Sequence, residues 1–187
     1  MDPEFNQDYF TKELRELGLS SCDLVLVHSS VEGAPFEEAI AYFQALQEVV
    51  LPTGTLVFPT FNFSFCTGTP YDFRKTPSQM GLLTELARGH SKSKRIHHHI
   101  YSFALLGAQA EKLSQSIHNI SSYADYSFFG ELRRQNGKIL LIRLPFNRSM
   151  TFFHHVEEML GCDYRYMKNF TGDIIDQSGN RSQQTYT

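Results

Sequence analysis

Leu24-Val25-Leu26-Val27-His28-Ser29-Ser30, the run Phe36 to Val50 and then Gly54-Thr55-Leu56-Val57-Phe58-Pro59 together decide the fold of this chain. The first run is short, apolar and unbroken, as a strand buried on both faces must be, and it ends in the polar turn Ser29-Ser30-Val31-Glu32-Gly33. Phe36, Ala39, Ile40, Phe43, Leu46 and Val50 then recur at helical spacing until Pro52-Thr53-Gly54 stops them. Thr55 to Phe58 reads as a second buried strand, closed by Pro59. Strand, helix and strand in that order predict a parallel pair joined by a right-handed crossover.

The alternation continues outward from this unit. Residues 60 to 80 are rich in Thr, Pro, Phe and Gly without a period, so they read as a long loop of the functional or mobile kind. Leu82, Leu83 and Leu86 mark a short helix that Gly89 ends. Ile100 to Leu106 is a third strand, followed by a helix over 108–118 and another over 127–135. Gly137 to Leu144 is a fourth strand. Asn169 to Thr187 reads as a strand, a turn at Ser178-Gly179-Asn180 and a polar end. The fold class is α/β, with a central, partly parallel mixed sheet flanked by helices.

Composition narrows the function classes. The chain has 187 residues, 41% of them apolar, which suits one domain with a sizeable core. A net charge of -3 gives no electrostatic footprint for nucleic acid or an anionic membrane, and the basic run Lys92-Ser93-Lys94-Arg95 reads as a solvated turn. Three widely spaced cysteines form neither a C-x-x-C pair nor a secreted disulfide pattern, so a cytoplasmic location is expected. Nothing approaches a membrane span or a signal peptide. Met1 to Phe5 has the look of a vector-encoded scar, leaving 6–187 as the single domain. The sequons at Asn119, Asn147 and Asn169 are read as chance matches.

The chemistry concentrates in Thr151-Phe152-Phe153-His154-His155-Val156-Glu157-Glu158. Helical spacing sets Thr151, His154 and Glu157 along one side, with Glu158 one turn from His154. A histidine held by a carboxylate is the equipment of a general base. If the helix starts near Met150, its free first-turn amides stand beside His154, ready for a developing oxyanion. The bland alternative is a polar helix face that happens to carry His and Glu. His97-His98-His99 is the second cluster. It reads as a solvated loop entering a strand, as a cleft wall, or, with His154 and Glu157 or Glu158, as part of a zinc site. Ser29 and Ser30 sit where α/β proteins bind ligands, or serve as an ordinary turn. Glycine-rich dinucleotide and P-loop fingerprints and the Gly-x-Ser-x-Gly elbow are absent. Asp72, Arg74 and Lys75 in the long loop could meet a charged substrate, with ordinary exposed charge as the default reading.

Taken in order, six fragments resemble the aminoglycoside 3-N-acetyltransferases and the wider antibiotic N-acetyltransferase family. They are Leu26 to Ser30, Gly54 to Phe61, Met80 to Glu85, Arg95 to Phe103, Asp125 to Leu132 and Thr151 to Glu157, the last resembling Thr-x-x-His-x-x-Glu. The resemblance spans about Leu24 to Gly179. The departures are Ile96 for Ser, His99 for Pro, Met150 for Asn, and Gly33-Ala34-Pro35-Phe36 in place of a Gly-Gly pair. The chain also stops soon after Asn180, where relatives continue, so truncation or a shortened member is expected.

The resemblance implies acyl transfer, acetyl above all, from acetyl-CoA as cosubstrate to a primary amine of an aminoglycoside, amino sugar or related small molecule. It assigns His154 as base, Glu157 as its orienting group and Thr151 as a contact to the thioester or oxyanion. Ser29, Ser30 and Thr60 would meet the cofactor, and His98, Asp72, Glu85 and Glu158 the acceptor. No metal is implied, and a homodimer is one option for assembly. Two other classes stay open: a metal-dependent hydrolase built on His98, His154 and Glu157, and a binding relative without activity.

Overall fold

The computed structural model describes residues 6–31, 33–117 and 121–187. Met1 to Phe5, Glu32, His118 and the sequon residues Asn119 and Ile120 lie outside the described residues. The chain runs α1 (Gln7–Glu16), β1 (Leu24–Ser29), α2 (Phe36–Val50), β2 (Thr55–Pro59), a 3-10 turn, β3 (Tyr71–Asp72), α3 (Leu82–Gly89), β4 (Lys94–Ile96), β5 (Phe103–Gly107), α4 (Ala110–Ser116), α5 (Phe128–Arg134), β6 (Lys138–Ile142), a second 3-10 turn, α6 (Phe152–Leu160), β7 (Phe170–Ile175) and β8 (Arg181–Tyr186).

The main sheet has the order β4-β5-β2-β1-β6. β1 pairs in parallel with β2 and with β6, placing Val25 opposite Leu56 and Leu26 opposite Ile139. β5 runs antiparallel to β2 and β4 antiparallel to β5, so the sheet is mixed, as expected. Alternate residues of each central strand serve opposite layers. Val25, Val27, Leu56, Phe58, Ala104 and Leu106 pack with Phe10, Phe43, Leu46 and Leu83 from α1, α2 and α3. Leu24, Leu26, Val57, Phe103 and Leu105 pack with Leu113, Phe128, Phe129 and Leu132 from α4 and α5. Burial on both faces explains why these strands read as continuous apolar runs. Fully burying a ring such as Phe58 or Phe128 contributes roughly 2–3 kcal/mol.

Several expectations need correction. α1 had no counterpart in the sequence reading, although Asn6 caps it by accepting from the Tyr9 amide at 3.0 Å, and Phe10 and Leu14 bury its inner stripe. The third strand starts at Phe103 rather than Ile100. The basic run is not a solvated turn throughout, because Lys94 to Ile96 form edge strand β4. Arg95 Nη2 donates to Thr60 and Ser102, at 3.0 and 3.2 Å. The long loop after β2 carries β3, which joins β7 and β8 in a separate three-stranded sheet around Phe65, Tyr71, Ile174 and Tyr186. Gly107 is required by close approach. Its φ is +118°, and a Cβ there would lie 2.2 Å from the Gly54 carbonyl oxygen. Among the described residues no helix is long and apolar enough to cross a membrane.

Candidate active site

β1, β2 and β6 are mutually parallel across β1, so their carboxyl ends open on one edge, where open α/β sheets bind ligands. A cleft of about 600 Å³ lies there. His28, Ser29 and Ser30 line it from the end of β1, Pro59 and Phe61 from the end of β2, and Ser149 and Thr151 from the segment between β6 and α6. The Ser30 amide donates to the Ile142 carbonyl at 3.0 Å, which fixes the two serines at the rim.

One turn beyond Thr151 on α6 stands His154, with its side chain 48% exposed. Its Nδ1 lies 3.0 Å from Glu157 Oε2, so the structure brings the predicted pair together. The neighbouring His155 is fully buried, and its Nδ1 donates to the Tyr123 carbonyl at 2.7 Å, which makes it a core residue. The helix phase thus separates two adjacent histidines into one accessible ring and one structural ring. α6 ends at Gly161 in the left-handed conformation (φ +63°), with the Cys162 amide returning to the Glu157 carbonyl at 3.1 Å. That reversal carries Tyr164 and Arg165 back onto the pair. Tyr164 donates to Glu157 Oε1 at 3.0 Å, and Arg165 Nη1 donates to Glu157 Oε2 at 2.6 Å. Contacts with His154, Arg165 and Tyr164 hold the Glu157 carboxyl down at about 2.

The first-turn amides do not stand free as expected. The Phe153 amide donates to the Met150 carbonyl at 2.9 Å, and the His154 amide to the Thr151 carbonyl at 3.1 Å. Those two donors are occupied, which weakens the case for an oxyanion site there.

The remaining predicted residues divide by environment. Thr60 is buried, its hydroxyl 2.9 Å from Ser102 and accepting from Arg95, and it stands outside the cleft lining. His98 is 1% exposed, so the solvated-loop reading fails for it. Its Nδ1 accepts from the Ile100 and Tyr101 amides at 3.0 and 2.9 Å, which puts the ring proton on Nε2, 3.2 Å from Ser122 Oγ. His99 is equally buried and stacks on Tyr186 at 4.1 Å, with neither ring nitrogen partnered. Asp72 is held by Arg74, whose hydrogen bonds keep the carboxyl below its usual value. Burial alone would raise the Glu85 carboxyl, but two 2.7 Å bonds from Arg88 and one from the Ser78 amide leave it lowered. Both carboxylates are therefore neutralised within the fold. Glu158 faces cavities beside Arg165, and burial pushes its carboxyl up.

His98, His154 and Glu157 do not form a metal set, and no three His, Cys, Asp or Glu side chains stand close enough to hold an ion among the described residues. Sequence reasoning passed over His28, Tyr164 and Arg165. His28 is 7% exposed in the cleft wall, its Nε2 is unpartnered, and burial pushes the ring down to about 4. Its signal was its place at a strand's carboxyl end. Arg165 had none, because a left-handed turn separates it from Glu157.

The structure thus sets a histidine–carboxylate pair beside a cleft at the parallel edge of a mixed α/β sheet. The aminoglycoside 3-N-acetyltransferase family profile matches residues 26–187, and the chain belongs to that family. The chain is 30% identical to the SPbeta prophage-derived aminoglycoside N(3')-acetyltransferase-like protein YokD of Bacillus subtilis, over 79% of this chain and 62% of that protein. It thus spans less than two thirds of that relative's length. The crystal structure of YokD superposes with a TM-score of 0.82 at 28% identity, covering 97% of this chain and 80% of that one. AAC-IIIb in binary complex with CoASH gives 0.83 at 20% identity, covering 96% and 74%, a likeness of fold. AAC-VIa bound to sisomicin gives 0.82 at 20%, covering 97% and 74%.

Proposed function

We propose that this chain is a CoA-dependent N-acyltransferase that moves an acyl group, acetyl by preference, to a primary amine of an aminoglycoside, amino sugar or related small molecule. The observation that carries the reading is the His154–Glu157 contact of 3.0 Å, set one helical turn from a cleft-lining Thr151. The acyl thioester lies in the cleft rimmed by Ser29, Ser30 and Thr151. The acceptor nitrogen attacks the thioester carbonyl carbon, and His154 takes the ammonium proton as the C–N bond forms. The C–S bond then breaks, and the proton leaves with the CoA thiol. Glu157, ionised down to about 2, holds the imidazole and stabilises its cation.

CoASH in AAC-IIIb and sisomicin in AAC-VIa support the two substrate classes, as ligands of relatives sharing the fold. Of the acidic residues proposed for a cationic acceptor, Glu158 is the one that faces open space beside α6, along with Asp163. Asp72 and Glu85 act instead as internal ion-pair partners in this reading.

The test is calorimetric titration with acetyl-CoA, followed by acceptor-dependent thiol release across a panel of aminoglycosides and amino sugars. Micromolar binding and saturable release are expected. No binding and no release with any acceptor would sink the reading.

A further inference from the structure

Three polar atoms crowd together at the end of α6. His154 Nδ1 lies 3.0 Å from Glu157 Oε2 and 2.8 Å from Arg165 Nη1, and that Nη1 lies 2.6 Å from the same Oε2. No single tautomer of His154 satisfies all three contacts. If Nδ1 carries the proton, it donates to Glu157 and two N–H groups face each other at 2.8 Å. If Nδ1 is bare, its lone pair faces Glu157 Oε2 at 3.0 Å, while Arg165 donates one Nη1 proton to Nδ1 and the other to Glu157. Only the second arrangement uses both protons of a guanidinium that never gives one up. It also matches the shorter of the two contacts to Nδ1.

Building on the acyltransferase reading above, we infer that Arg165 is a positioning residue that decides which ring nitrogen of His154 carries the proton. With Arg165 in place the proton sits on Nε2, and the outward nitrogen has no lone pair for an incoming ammonium proton. When the guanidinium leaves Nδ1, Glu157 takes over as acceptor from Nδ1–H and bares Nε2, the form a general base requires. The two states differ by one side chain and one proton position.

The surroundings put Arg165 within reach of a ligand. Arg165 lies in the stretch 161–169, which has neither helix nor strand, and its guanidinium carbon is 5.5 Å from the Tyr123 ring centre. It lines the cavities on either side of Glu158, so a ligand entering there meets it directly. Glu158, Tyr164 and Tyr123 are the other groups that face this cluster, and Tyr164 donates to the second oxygen of Glu157.

The experiment is long-range proton–nitrogen NMR of the histidine rings in ¹⁵N-labelled protein at alkaline pH, with His154 assigned from the signals lost in His154→Gln. The wild type is expected to show a bare Nδ1 and a protonated Nε2, and Arg165→Gln the reverse pattern. A wild-type ring already protonated on Nδ1, or a variant with the wild-type pattern, overturns the inference. The wild-type spectrum decides alone should the variant fold poorly. This readout needs no turnover, so it stands or falls separately from acyl transfer.

Discussion

Two histidine-rich regions of this molecule carry the same side chain into opposite surroundings. On α6, His154 is half exposed and touched at Nδ1 by the charged side chains of Glu157 and Arg165. Between β4 and β5, His98 and His99 are 1% exposed, and His97 stacks flat on Phe73 at 3.8 Å. Those rings behave as aromatic packing at the junction with the second sheet. The triple histidine is the larger cluster, but reactivity follows from a charged partner together with access, and of these four rings His154 has both.

That contrast is broken most easily by substitution. His154→Ala should lower kcat by about 10²–10⁴-fold while leaving acetyl-CoA affinity and the melting temperature near wild type. His99→Phe should leave the rate alone. Equal losses from both, measured by thiol release, would erase the distinction. Filling the cleft with Ser30→Leu should weaken acetyl-CoA about tenfold or more, close to 1.4 kcal/mol, when titrated calorimetrically.

The buried rings also set a pH dependence. Burial holds His28 at about 4, and burial with help from Arg95 holds His97 at about 3; burial alone holds His99 at about 3. Each is depressed below its unfolded value, so between about 6.5 and these values the unfolded chain binds more protons. Stability is therefore full above that window and declines as pH falls through it. The melting temperature should drop steadily from about pH 6.5 downward, and less steeply in His99→Phe. A flat profile would mean these rings find partners. At neutral pH the same variant should gain about 1 kcal/mol in a denaturant titration, because it removes two unpartnered buried nitrogens. Gly161→Ala should cost about 1–2 kcal/mol, since it forces a side chain into the left-handed turn that returns Arg165 to Glu157.

Much of this was written in local pattern. The strand–helix–strand unit of β1, α2 and β2 followed from apolar periodicity, because two-sided burial leaves no polar interruption to misread. The His154–Glu157 pair followed from helical spacing, which is a local distance. What the sequence could not state was tertiary. The pairing of β3 with β7 joins Tyr71 to Ile174, and Arg165 reaches His154 only through the turn at Gly161. Asp72 and Glu85 mark the opposite case, since the arginines that cancel their charge stand two and three residues further along, at Arg74 and Arg88, a local spacing that the sequence reading did not use. Ser29 and Ser30 fell in the cleft because topology, rather than residue type, places a strand's carboxyl end at the ligand edge.

The central claim is that His154 and Glu157 work as one unit, and a double-mutant cycle on thiol release tests it most directly. His154→Ala, Glu157→Gln and the double variant would be compared at saturating acetyl-CoA and acceptor. The account predicts that the double variant is scarcely slower than His154→Ala alone, because an orienting carboxylate has nothing left to orient. Losses that multiply independently would contradict it and assign the two residues separate tasks.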